Sequence, residues 1–141
     1  MLLLSIHPRH VESILAGSKR VELRRRKPRI DSGEALIYAT SPRMALVASI
    51  RIVRVVRAPL ALLWKSVRND AAIARNEFDA YFSGLDFGVA MWIADVIEFD
   101  QPASLDKLRA TWDGFHPPQG FGYVKRGDVA KLPISTRRRA A

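Results

Sequence analysis

The sequence predicts an α+β fold, a small mixed β-barrel of about five to six strands with flanking helices. Three observations predict it. Strand-like segments follow one another through short connections, one helix comes early while the others fall late, and one long strand-like stretch switches the face of its alternation part way along. A doubly wound sheet would need strand and helix to alternate regularly, and no repeat at solenoid spacing is present.

Each element can be justified in turn. Leu2 to Ile6 is an apolar strand ended by His7-Pro8. Val11, Ile14 and Leu15 then recur at helical spacing, with Pro8 suited to the first turn, where no N–H is needed, and Gly17 to the left-handed position past the last turn. From Lys19 to Arg26, Val21 and Leu23 alternate with charged residues, the pattern of a half-buried strand. Pro28, Asp31, Ser32 and Gly33 make the following turn. Leu36 to Ala39 is a third strand, stopped by Thr40, Ser41 and Pro42. The fourth runs from about Ala45 to Arg57. Its apolar role passes from Ile50 and Ile52 to Val53 and Val55, so a β-bulge is expected near Arg54. Pro59 opens a helix through Leu63 and Val67, a shorter helix is expected from Glu77 to Phe82 before Gly84, and Val89 to Phe99 reads as a strand buried on both faces or central in the sheet. Ser104 is placed to cap a short helix carrying Leu105 and Leu108. Trp112 to Tyr123 is expected to be a Pro-, Gly- and aromatic-rich loop. No linker divides the chain, so residues 1–134 are expected to form one domain and residues 135–141 a flexible basic tail.

Composition narrows the function. The 141 residues include no cysteine, which removes disulfides, thiolate metal sites and a cysteine nucleophile. No apolar run approaches the roughly 18 residues of a membrane helix. Arg9 and His10 close behind the Met1 to Leu4 run do not fit a secretory signal, so a cytoplasmic protein without a membrane partner is expected. The formal net charge is +9 and is unevenly spread: residues 1–60 hold 12 basic and 4 acidic side chains, residues 61–141 hold 11 and 10. A positive field concentrated in one half of a small chain points to a polyanionic partner: RNA, another single-stranded nucleic acid, or a nucleotide. Keeping a small protein soluble is the plainer use of the same charge.

Several segments fall in one order over nearly the whole chain. They are Leu3-Leu4-Ser5-Ile6, a helix ending Ile14-Leu15-Ala16-Gly17, the Lys19-x-x-Glu22-x-Arg24 stretch, Ile37-Tyr38-Ala39-Thr40-Ser41-Pro42, Phe78-x-x-Tyr81-Phe82-Ser83-Gly84, and Pro117-Pro118-Gln119. This series resembles the ASCH domain family of the PUA-like superfamily, and in particular its stand-alone bacterial members. The resemblance implies a PUA-like barrel, binding of RNA or of a modified base, and a role in RNA metabolism or transcription regulation. Some relatives are hydrolases acting on RNA or on acylated nucleosides. It also implies that Glu22 stands in the central cleft and that His7, at the helix start, faces the same cleft. Relatives that hydrolyse acylated nucleosides use a Lys-x-x-Thr arrangement with threonine as nucleophile. Here the matching stretch reads Lys19-Arg20-Val21-Glu22 and lacks that hydroxyl.

If Val21 and Leu23 face the core, then Arg20, Glu22, Arg24 and Arg26 share the opposite face of their strand. Arginine forks match phosphate oxygens, so Arg24 and Arg26, with Lys19, are the expected phosphate contacts. A carboxylate among arginines is favoured in its ionised form, which suits Glu22 to accept a hydrogen bond from a base or sugar. Tyr38 and Tyr123 supply stacking rings, although Tyr38 fits a barrel core equally well, and Ser41 and Gln119 supply polar contacts. With His7 these make the expected binding set. His7, His10 and His116 lack metal-ligand spacing, and there is no P-loop, dinucleotide fingerprint or Gly-x-Ser-x-Gly elbow, so neither metal nor cofactor is expected. Two alternatives to pure recognition remain. One is a hydrolase of RNA or modified nucleosides using Lys19 and Glu22; the other is a regulatory module whose aromatic C-terminal loop meets a protein.

Overall fold

The structure, a computed structural model, describes residues 1–134 and the backbone of residues 136–138. Its elements run β1 (Leu2–Ile6), α1 (Pro8–Ala16), β2 (Val21–Arg24), β3 (Gly33–Ala39), β4 (Ala45–Pro59), α2 (Leu60–Val67), α3 (Arg75–Tyr81), β5 (Phe87–Ser104), α4 (Leu105–Thr111), β6 (Phe121–Tyr123), α5 (Arg126–Val129) and β7 (Thr136–Arg138). The first nine follow the predicted order. The strands join as β2-β5-β4-β3-β1-β6, with β7 beside β5. Only the β1–β3 pair is parallel, and the sheet curls into a half-barrel of the predicted α+β class.

Bulges produce the curl. The β4–β5 register shifts at Leu46/Ala48, Ser49/Arg51 and Ile52/Arg54, and the β3–β4 register shifts at Ile37/Tyr38. Each shift strengthens the local twist and bends the long strands around a common interior. The shift at Arg54 is the predicted one. The shifts at Ile37/Tyr38 and Leu46/Ala48 lie in runs so uniformly apolar that no alternation exists to be broken, whereas the one at Ser49/Arg51 leaves the local alternation of Ile50 and Ile52 with polar residues intact.

Three apolar clusters hold the layers. Helix α1 starts at Pro8, with the His7 Nδ1 accepting from the Arg9 N–H at 3.2 Å, and ends where Gly17 takes φ +85°. It lays Val11, Ile14 and Leu15 onto the barrel interior formed by Leu2, Leu4, Ile6, Ile37 and Ile50. On the outside, Leu63, Val67, Phe78 and Phe82 pack onto Val21, Leu23 and Ala90. A Cβ at Gly88 would sit 2.6 Å from a Phe82 ring carbon, so only glycine lets that ring reach the sheet. The third cluster gathers Leu3, Leu36, Tyr38 and Leu46 against Leu108 and Trp112. Helix α4 is capped as predicted, by the Ser104 Oγ accepting from the Lys107 N–H at 3.2 Å.

The alternation of β2 positions the site. Val21 and Leu23 turn toward α2 and α3, which leaves Glu22 and Arg24 on the other face. The strand is shorter than the predicted Lys19 to Arg26. At its start the Arg20 carbonyl still accepts from the Ile93 N–H at 2.9 Å, but the exposed Arg20 side chain lies toward Asp70 at 3.6 Å, outside the pocket; at its end Arg25 reaches the Tyr81 and Ser83 carbonyls and the chain turns away. Arg20 and Arg26 therefore do not extend the row of Glu22 and Arg24. The expected loop over Trp112 to Tyr123 ends in a strand instead. Its three residues pair with β1, Leu2 facing Tyr123, a partner too distant in sequence to leave a local signal. Thr136–Arg138 form β7 where a flexible tail is expected; Ser135, residues 139–141 and the side chains of 136–138 lie outside the described residues. No helix among the described residues is long and apolar enough to cross a membrane.

Candidate nucleic-acid interface

Lys19, Glu22 and Arg24 are 3%, 6% and 9% exposed, and among the described residues they are the buried charged side chains. Taking such groups out of water costs several kcal/mol each unless partners compensate, so a buried cluster of three marks a place where charge is used. They line an open pocket of about 330 Å³. Its walls come from the end of β1 (Ser5, Ile6), the start of α1 (His7, Arg9, His10), β2 with its approach, and Ile73, Glu77 and Tyr81 around α3.

The polar contacts of the three are incomplete in an informative way. Lys19 Nζ donates to the Ala71 carbonyl at 2.6 Å, which leaves two of its three protons for other acceptors. Burial pushes the Lys19 ammonium below the ordinary lysine value against the pull of Glu22, and the cations Arg24 and Arg9 push the same way as burial. Glu22 Oε1 accepts from the Leu23 N–H at 3.2 Å, whereas Oε2 is buried with no partner among the described residues. Arg24 is held by the fold at two of its nitrogens, Nη1 donating to the Gly120 carbonyl and Nη2 to the Ser5 carbonyl, both at 3.1 Å, while its Nε is buried with no partner among the described residues.

The rim adds further groups. Arg9 of α1 and Glu77 of α3 form an ion pair at 2.6 Å, and Arg9 also lies 3.3 Å from His10 Nε2. Burial lowers the His10 pKa, with Lys19 and Arg9 acting in the same direction and Glu22 and Glu77 opposing them. The Tyr81 hydroxyl donates to the Leu23 carbonyl at 3.2 Å, and burial raises its pKa.

Of the predicted residues, the fold brings His7, Lys19, Glu22 and Arg24 into this pocket and leaves the others outside it. Tyr38 is 2% exposed among Leu3, Leu36 and Leu46, so neither face of its ring is open to a base; it is a core residue. Ser41 sits exposed in the turn after β3, and Gln119 is exposed in the loop before β6. Arg26 lies over the Phe121 ring, 5.3 Å from its centroid, and Arg29 over Tyr123 at 4.5 Å; Tyr123 also accepts the Arg29 N–H at 2.7 Å. The expected binding set omitted Arg9, His10, Glu77 and Tyr81. Their signals were present: Glu77 and Tyr81 stand four apart on one face of α3, and His10 stands three after His7 on α1.

A half-barrel with a helix laid over its interior and a buried Lys-x-x-Glu-x-Arg cluster at its mouth defines a protein class. The chain belongs to the ASCH domain family, whose profile matches residues 4–103. A protein from Zymomonas mobilis named ASCH domain-containing ribonuclease is 28% identical over 130 residues, covering 92% of this chain and 87% of its own. The crystal structure of ASCH from Zymomonas mobilis superposes with a TM-score of 0.89 at 27% identity, covering 95% of each chain. The N-terminal domain of Staphylothermus marinus McrB superposes at 0.56 with 14% identity over 92% of this chain and 91% of that one, a likeness of fold alone.

Proposed function

We propose that this protein binds single-stranded RNA and cleaves it in the Lys19–Glu22 pocket. The observation that carries the reading is the Glu22 Oε2, a buried acceptor without a partner, beside a lysine whose ammonium is made more acidic than usual by burial. The near full-length similarity to a ribonuclease supports the choice of RNA as substrate.

RNA carries its own nucleophile, so the missing threonine hydroxyl is no obstacle. Glu22 accepts the proton of the 2′-hydroxyl as the 2′-oxygen bonds to phosphorus. Lys19 balances the charge on the phosphoryl oxygens and gives its proton to the 5′-oxygen as the P–O5′ bond breaks. The products are a 2′,3′-cyclic phosphate and a 5′-hydroxyl, and one proton has moved from substrate to Glu22 and one from Lys19 to the leaving group. His7 and Arg9, at the start of α1, face the incoming phosphodiester.

The test is cleavage of an end-labelled single-stranded RNA beside the DNA of the same sequence, with products identified by mass spectrometry. The RNA is expected to be cut to cyclic-phosphate ends and the DNA left intact. Glu22→Gln is expected to lower the rate at least about 100-fold with RNA affinity kept. Equal cutting of DNA, or full turnover by Glu22→Gln, overturns the reading. RNA binding by the native protein without any turnover returns the pocket to recognition alone.

A further inference from the structure

The two edges of the sheet, β2 and β6, are not joined by backbone pairing. Side chains cross the gap. Beyond the Arg24 bond to Gly120, Arg26 lies over Phe121, Phe121 meets Tyr123 edge-on with ring centroids 6.2 Å apart, and Arg29 covers Tyr123. These four groups form one continuous row, and the row starts two residues past Arg24 on one side and one residue past Gly120 on the other. Arg24 itself lines the pocket, so the row begins two residues beyond the pocket wall.

Guanidinium-on-ring contacts also hold Arg54 over Trp92 and Arg57 over Phe87; what sets this row apart is that it lies two residues beyond Arg24 of the pocket. The exposed cations Lys27 and Arg126 are paired with Asp31 and Glu34. Among the described residues, Arg26 and Arg29 have no carboxylate within ion-pair distance; aromatic rings hold them instead. A guanidinium lying on a ring keeps its positive charge and its N–H fork while losing much of its freedom, and its outer face can stack on a base. Two arginines flank two rings here, Tyr123 exposed and Phe121 half-buried against the barrel interior, so the edge offers guanidinium forks to two phosphates and the Tyr123 ring to an unpaired base.

We infer that the Arg26–Phe121–Tyr123–Arg29 row is a second subsite that holds single-stranded RNA flanking the nucleotide in the pocket. This rests on the reading of the pocket as an RNA site. The occupant is a single strand because only unpaired bases offer faces to the row, and its phosphates supply the counter-charge that the protein withholds from these two arginines.

The experiment compares the full chain with the Arg26→Gln/Arg29→Gln variant on a dinucleotide and on a 12-nucleotide RNA. Both substituted residues are exposed, and the Arg29 N–H that bonds Tyr123 belongs to the backbone and is retained. Affinity for the 12-mer is expected to fall about tenfold or more, and the slope of log affinity against log salt to flatten by about 1.4, for two phosphates lost. Cleavage of the dinucleotide is expected to be unchanged. A 12-mer affinity equal to the native protein's, or an equal loss on the dinucleotide, overturns the inference. 12-mer binding that falls in the variant, by a native protein that cuts nothing, supports the second subsite and overturns only the cleavage reading.

Discussion

The Arg24 guanidinium donates to the Gly120 carbonyl at 3.1 Å and thereby ties β2, one edge of the sheet, to the residue that opens β6, the other edge. The same carbonyl accepts from the Ser5 N–H at 2.9 Å, and the second arm of the fork holds the Ser5 carbonyl. Where neighbouring strands elsewhere are laced by backbone bonds, this seam is held by side chains, and Arg24 supplies its buried hydrogen bonds. The sequence pattern offers Arg24 to phosphate; the geometry gives it first to the barrel.

Replacing Arg24 by methionine should therefore destabilise the protein. Two hydrogen bonds from a charged donor contribute about 1.5–3 kcal/mol each and are not fully additive, so a loss of about 3 kcal/mol is expected. Lysine should not restore it, because an ammonium cannot present the two parallel arms. Urea unfolding of Arg24→Met and Arg24→Lys measures this; native stability in either variant would mean the seam closes without the fork.

The pH dependence of stability follows from His10. Burial holds its pKa below 6.5, so the folded state binds this proton more weakly than the unfolded chain does. The penalty on the fold is complete below the lowered value, shrinks as pH rises through the window up to 6.5, and is absent above it. The melting temperature should fall on acidification through that window, and His10→Asn should remove this component while leaving the neutral-pH value almost unchanged. Melts at a series of pH values on both proteins decide the point. An unchanged acid limb in the variant would assign the limb to other groups.

Tyr38 and Tyr123 show what alternation can and cannot tell. Tyr38 shares a face of β3 with Leu36, and in a sheet with one wet face that pattern fits either side. Here β3 is covered twice, by the barrel interior under Ala35 and Ile37 and by α4 with Trp112 over Leu36 and Tyr38. Only the tertiary packing decides that Tyr38 is core. Glu22 and Arg24 were legible because a two-residue period fixes their common face locally. The depth of Lys19 was not, since it depends on the Ala71 carbonyl 52 residues away. The far wall of the pocket escaped for the same reason: the Glu77 and Tyr81 spacing is visible, whereas the meeting of α3 with β2 is not a local property.

A core role for Tyr38 separates two substitutions. Tyr38→Phe keeps the ring and should leave RNA affinity unchanged. Tyr38→Ala should cost about 3–5 kcal/mol through the cavity it leaves among Leu3, Leu36 and Leu46. Thermal unfolding and RNA titration of both variants test this, and a loss of RNA affinity in Tyr38→Phe with stability intact would restore the tyrosine to the binding surface.

The Arg9–Glu77 pair makes the last prediction, because it joins α1 to α3 across the pocket mouth with side chains 59% and 40% exposed. So exposed a pair contributes little to stability, because water screens it and its side chains lose freedom in forming it. Its effect on binding should be larger in proportion: Glu77 competes with a phosphate for Arg9, and its carboxylate repels RNA at the entrance. Glu77→Gln should therefore bind a 12-nucleotide RNA a few-fold more tightly at low salt, with the gain fading as salt rises, and should unfold at nearly the native urea midpoint. Fluorescence anisotropy across a salt series, set beside a urea melt, measures both. Weaker binding by Glu77→Gln would mean that the ion pair holds the pocket in its working shape and that Arg9 does not meet phosphate there.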